Sequence, residues 1–257
     1  MTEPAAVRLD RAGALAVVTL ARPEKRNAQT PSTWRALAAI GASVLADETI
    51  RVVLLRGEGE SFSAGLDRGM LTAGVGDDPG LPQLAALDTG VLDDAIAGFQ
   101  RAFTWWHDPR VVTVAAVQGH AVGAGFLLAL ACDLRVLADD ARLAMRETSL
   151  GLVPDLAGTK PLVDAVGYSR ALEICATGRW VGAEEALALG LASLVVPRAE
   201  LDAAATDLAA ALLAAPAGAV RATKELLQGA GARTHADQQT AERTAQAARL
   251  RDLTGRG

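Results

Sequence analysis

The chain has 257 residues, a formal net charge of −5 and a pI near 5.3. Hydrophobic residues make up 51% and charged ones 21%, which excludes a disordered chain and predicts one large globular unit, with or without an appendage. The acidic balance argues against nucleic acid as a main partner, so local basic groups must meet any anionic ligand.

The first residues, MTEPAAVRLD, lack the basic-then-apolar character of a signal segment. Residues 14–20 read as a strand, and 31–45 as an amphipathic helix with Trp34, Leu37, Ile40 and Val44 on one face. Residues 51–56, RVVLLR, return as a strand. Residues 67–89 carry several Gly, Asp and Pro without a period, and so long a stretch predicts a lid or pocket wall. A helix over 91–106 leads to the β-branched run 111–117, a strand covered on both faces. Residues 133–138 and 142–145 read as further strands, so the alternation predicts βαβ units with mainly parallel pairing. Beyond Pro197 the pattern is helical, over 199–214, 217–228 and 236–253, with breaks near Pro216 and Gly229–Gly231.

No uncharged run approaches the length of a membrane span. Cys132 and Cys175 sit beside apolar residues and read as free thiols, which suits a reducing cytoplasm. His107, His120 and His235 show no metal-ligand spacing with them, so no metal site is expected.

The most informative stretch is 111–133, VVTVAAVQGHAVGAGFLLALACD. After the strand, Gly119, Gly123, Ala124 and Gly125 let another group approach the backbone. A helix then begins, over 126–132, and its free N–H groups and positive dipole end suit a negative charge. Close helix–sheet packing would use the same small residues. A dinucleotide fingerprint fails on glycine spacing, although Asp139 lies at a ribose-like distance, and no Lys-Ser or Lys-Thr pair follows to make a P-loop. A second loop of small residues, Ser63-Ala64-Gly65-Leu66, follows the strand at 51–56. Two such loops facing one another would make an oxyanion hole from backbone amides.

Together with RPEKRNA at 22–28, these motifs, in this order and spacing, resemble the crotonase or enoyl-CoA hydratase/isomerase family over nearly the whole chain. The resemblance implies an α/β fold, a crotonase-like spiral of β-β-α units with a C-terminal helical trimerisation region. It divides the chain into an acyl-CoA-binding core over 1–197 and an oligomerisation region over 198–257. It also implies an acyl-CoA thioester as substrate, coenzyme A entering as part of it with no tightly bound cofactor, and trimers that often pair as hexamers. The implied oxyanion donors are the backbone N–H groups of Leu66 and Ala124, and Arg22, Lys25, Ala28, Ala64, Asp67 and Gly123 are implied around the substrate and CoA. Lys224 of the tail is implied near a phosphate, across a subunit interface.

Family hydratases use two glutamates. The first falls on Leu127, which carries no proton, and the second on Glu147. Asp155 stands where hydratases usually have glycine, as in some family isomerases and a dehalogenase branch. One carboxylate can move a proton between two carbons of a dienolate, which favours isomerisation of an enoyl- or dienoyl-CoA by Glu147, with Asp155 as a second acid/base. The neighbours Leu143, Met145 and Leu150 predict a raised pKa for Glu147. Without the resemblance, Glu147 beside Arg146 reads as a surface ion pair and Asp155 as a cap for a helix near Leu156. Open alternatives are a hydratase in which Asp155 replaces the missing glutamate, a hydrolase or dehalogenase with Asp155 as nucleophile, and an acyl-CoA-binding protein without catalysis. The 4% aromatic content lacks the aromatic-rich pocket of the dehalogenase branch.

Overall fold

A computed structural model describes residues 6–254. Eleven strands and ten α-helices occur among them, with short 3-10 turns between. The strands are β1 (Val7–Ala12), β2 (Leu15–Leu20), β3 (Val52–Gly57), β4 (Gly74–Val75), β5 (Asp78–Pro79), β6 (Val112–Val117), β7 (His120–Val122), β8 (Leu134–Ala138), β9 (Arg142–Ala144), β10 (Val181–Gly182) and β11 (Leu194–Val196). The helices are α1 (Pro31–Leu45), α2 (Leu81–Ala85), α3 (Thr89–Thr104), α4 (Ala124–Ala131), α5 (Thr159–Val166), α6 (Tyr168–Thr177), α7 (Ala183–Ala188), α8 (Leu201–Ala214), α9 (Ala217–Ala230) and α10 (His235–Leu253).

The main sheet has the order β1-β2-β3-β6-β8-β11. Every pair in it is parallel except the β1–β2 hairpin, whose turn needs Gly13 at φ +59°. A second sheet, β10-β9-β7, takes one strand from each successive turn of the chain. Thus β6 enters the large sheet, β7 the small one, and α4 closes the turn; β8 and β9 repeat the step before α5. This is the expected spiral of β-β-α units.

Burial on both faces explains the unbroken apolar strands. On one face of the main sheet, Leu37 and Val44 of α1, Phe103 and Trp106 from the α3 region and the whole of α4 fill the core. On the other face lies α8, where Leu201, Ala205, Leu208 and Leu212 recur at helical spacing against Leu54, Val114, Ala116 and Val136. The expected oligomerisation region, 198–257, thus begins with a helix packed on the sheet. Helix α8 is a structural layer of the core, and only α9 and α10 extend beyond it. Lys224 ties α9 down: its buried ammonium donates to the Asp108 and Val111 carbonyls and to Asp133 Oδ2 at 2.7–2.9 Å. No single helix among the described residues is long and apolar enough to cross a membrane.

Candidate active site

A cleft of about 450 Å³ opens between the two glycine loops, α1, α3 and the irregular segment that follows the first loop. Leu66, Gly123, Ala124, Glu147 and Asp155 line it together with Ala64. The sequence thus brings its expected oxyanion donors and both expected carboxylates to one place.

The floor is built by pairing backbone with backbone. Ser63 bridges Ala121 in parallel fashion, with Ser63 N–H donating to the His120 carbonyl and Val122 N–H to the Ser63 carbonyl. Equally far along each strand from that bridge stand Leu66 and Ala124. The neighbouring amides are occupied: Ala64 N–H donates to Arg26 O, Gly65 N–H to Ser63 Oγ, and Gly123 N–H to Ala144 O. The Leu66 and Ala124 amides have no acceptor among the described residues. Ala124 also opens α4, whose dipole adds positive potential at the same spot. Gly65, at φ +82°, permits the approach, since a Cβ there would lie 2.2 Å from the Val122 carbonyl oxygen.

Buried polar residues that sequence reasoning missed hold the first loop. Ser63 Oγ donates to the Asn27 carbonyl at 2.8 Å and accepts from Gln29 Nε2 at 3.0 Å. Gln29 Oε1 accepts from Trp34 Nε1, and its backbone brackets Leu66 through bonds to Gly65 O and from Asp67 N–H. Asn27, 2% exposed and at φ +53°, donates to the Glu58 and Ser61 carbonyls. Their signal in the sequence was polar residues placed directly before the Thr30 cap of α1.

Strand β9 ends one turn before Glu147, and the Gly123–Ala144 bond fixes that end beside the hole. The Glu147 carboxylate lies over Gly123, where an added Cβ would stand 2.8 Å from Oε1. Its Oε2 is buried with no hydrogen-bond partner. Burial pushes this carboxyl above the ordinary carboxylate range and the negative Asp155 pushes it further, against backbone N–H groups that pull it down. Burial also raises Asp155. Asp155 keeps exposed surface at the cleft mouth, with Leu152, Val153 and Leu156 beside it in the lining.

The two surface roles considered for these carboxylates are not what the structure shows. Arg146 stacks its guanidinium over Trp180 at 5.0 Å, turned from Glu147. Helix α5 starts at Thr159 with Gly158 as its N-cap, so Asp155 caps nothing; its carbonyl accepts from Gln100 Nε2. Leu127 is 1% exposed and packed on Gly158, leaving no room there for even a methyl group.

The expected CoA residues divide. Arg22 is half-buried and donates to Asp67 Oδ2 at 2.8 Å and to the Ala28 carbonyl at 3.3 Å, so these three form one strut beside the first loop. Lys25 stands exposed on the 3-10 turn next to it. Lys224 lies away from this cleft, with its three N–H donors on Asp108, Val111 and Asp133.

Comparison with known proteins agrees with this geometry. The enoyl-CoA hydratase/isomerase family model matches residues 10–253. A structure from Thermobifida fusca YX, provisionally named an enoyl-CoA hydratase and solved in complex with acetoacetyl-CoA, is similar at 49% identity and TM-score 0.92, covering 96% of this chain and 95% of that one. The enoyl-CoA hydratase structure from Bacillus anthracis gives 27% identity and TM-score 0.82 over 97% and 95% of the two chains. Carnitinyl-CoA dehydratase of Escherichia coli K12 is 37% identical over 221 residues, 86% of this chain and 79% of that protein. With the two-amide floor, the β-β-α spiral and a match that runs almost end to end, the chain belongs to the enoyl-CoA hydratase/isomerase, or crotonase, family.

Proposed function

We propose that the protein shifts a carbon–carbon double bond within an enoyl- or dienoyl-CoA. The thioester oxygen accepts the Leu66 and Ala124 N–H groups, which gain strength as negative charge develops on it. Glu147, ionised, takes a proton from one carbon of the acyl group, and the electron pair left behind delocalises into the held oxygen as a dienolate. The same carboxyl returns the proton two carbons further along, so the bond moves and no water is consumed. Asp155 faces the same cleft and serves as the second acid/base where a dienoyl substrate needs one. The observation that carries this reading is the Glu147 carboxyl itself, held beside the hole by Gly123, with a raised pKa and an unpartnered oxygen. Acyl-CoA as the substrate class is supported by the acetoacetyl-CoA bound to the Thermobifida fusca relative.

A second reading is favoured by the hydratase names of the relatives and by the presence of two cleft carboxyls: Asp155 activates water in place of a glutamate at 127. Purified protein offered 3-enoyl-, 2-enoyl- and 2,5-dienoyl-CoA in deuterated water separates the two. Bond migration with deuterium exchange, lost in Glu147→Gln, supports isomerisation; water uptake by the 2-enoyl substrate, lost in Asp155→Asn, overturns it. We further propose a trimer or hexamer acting in the cytoplasm, supported by Leu227 and Leu253, 70% and 81% exposed on α9 and α10, and by two free thiols.

A further inference from the structure

The cleft's outer wall is the segment that lacked a period in the sequence. It folds as the 3-10 turn Arg68–Leu71, the tight β4–β5 hairpin and α2. At its centre is Asp78, 4% exposed between two exposed neighbours. Its Oδ2 accepts the Ser32 N–H at 2.9 Å and its Oδ1 accepts Arg35 Nη2 at 2.6 Å. Asp78 thus acts as a second cap on the first turn of α1, supplied from across the cleft. Pro31 and Trp34 of that turn face the cleft from one side, and Leu81 and Leu84, just beyond Asp78, face it from the other. The hairpin has no slack, because a Cβ at Gly74 would stand 2.1 Å from the Asp78 carbonyl oxygen.

We infer that Asp78 is a specificity-determining positioning residue, which fixes the spacing of the two apolar walls and so the fit of the acyl tail. The inference rests on the acyl-CoA reading above. The tail that reaches these walls is hydrocarbon: the side chains there are apolar, and the one polar edge, Trp34 Nε1, is spent on Gln29. A short acyl group stops at the hole, while a longer one runs between Trp34 and Leu84. Each methylene buried there is worth roughly a fourfold gain in affinity.

The test is calorimetric titration with free CoA and two saturated, unreactive thioesters, acetyl-CoA and octanoyl-CoA. Wild type should bind octanoyl-CoA more tightly than acetyl-CoA. Asp78→Ala should weaken octanoyl-CoA by about tenfold or more and leave CoA and acetyl-CoA within about twofold. Asp78→Asn, which keeps an acceptor for Ser32, should recover part of the loss. Leu84→Ala removes the wall side chain without touching the clamp and should give the same length-selective loss, so the question is answerable even if Asp78→Ala does not fold. Equal weakening of acetyl- and octanoyl-CoA, or no change in either, would overturn the inference. Wild type that binds CoA well but octanoyl-CoA no better than acetyl-CoA also overturns it and leaves CoA recognition standing. Failure to bind any of the three refutes the acyl-CoA reading itself.

Discussion

Gly65→Ala tests the backbone hole with a single methyl group. At φ +82° an alanine carries the left-handed penalty of about 1–2 kcal/mol. Its Cβ would also lie 2.2 Å from Val122 O and 3.5 Å from Ala124 N, inside the gap that sets the spacing of the two donors. Ordinary contact begins near ~3.5 Å, so the 63–66 loop must retreat by about 1 Å. A shift of that size takes the Leu66 N–H out of reach of an oxygen still held by Ala124. Losing one such donor costs about 10²- to 10³-fold in kcat, or ~2.7–4 kcal/mol. The assay is kcat on whichever thioester wild type turns over, beside the melting temperature and the Kd for free CoA. Gly13→Ala is the matched control, since Gly13 has φ +59°, lies in the remote β1–β2 turn and has nothing within 4 Å of an added Cβ. It should lose similar backbone stability and no activity. If Gly65→Ala kept kcat within about threefold while losing stability like the control, the floor would not be the oxyanion hole.

Glu147→Gln should abolish bond migration yet stabilise the fold at neutral pH by about 1 kcal/mol, read as a melting point about 2–4 °C higher, because a buried carboxylate oxygen lacks a partner. The sign follows from the raised folded-state pKa: the native state binds the proton more tightly, so the cost of the charge is present above that pKa and disappears as pH falls below the ordinary carboxylate range. Asp155→Asn removes the negative charge that raises Glu147, so the acid limb of kcat against pH should move to lower pH; a limb that stays in place would show the two carboxyls to be uncoupled. Lys224→Ala should cost about 3–5 kcal/mol in urea unfolding by stranding Asp133, with the Kd for CoA unchanged in the folded protein; weaker CoA binding at full stability would return Lys224 to the ligand. Leu127→Glu should cost about 3 kcal/mol or more and bring no hydration of 2-enoyl-CoA, since the position is sealed against Gly158; a stable, hydrating variant would refute that packing.

What the sequence made legible was whatever depends on local chemistry. Helix α1 is bounded as expected because Thr30 caps it, Pro31 starts it and its apolar residues keep the helical period. The two loops that meet in the cleft were legible because small residues are the requirement for exposing an amide, and both follow recognisable strands. Strands β7, β9 and β10 were not all legible. With two or three residues each they carry no period, and β7 reads as part of a loop. Helices α5 to α7 escaped because they are short, with 8, 10 and 6 residues, so the helical period repeats too few times to be read. Partners far apart in sequence were illegible in principle. Asp78 reads as one more acid in a polar stretch until Ser32 and Arg35 are seen around it, and Lys224 reads as a free cation until Asp133 is.

The division of labour in the cleft explains why family and reaction are specified so differently. The proposed oxyanion donors are backbone groups, so many side chains are tolerated there provided the glycines let the loops meet. Proton transfer is different, because it needs a titratable group at a given carbon of the substrate. Here one such place is Leu127, turned into the core, and another is Asp155, at the mouth. Filling the first with hydrocarbon does more than delete a carboxyl. It packs the position against Gly158 and away from the cleft lining, so Glu147 and Asp155 are the carboxyls left facing the cleft. The same replacement therefore leaves the proton transfer proposed above to Glu147 and Asp155. Neither carboxylate pairs with a group that the fold needs, so both can be exchanged without disturbing the spiral, whereas position 127 is tied to the packing of the core.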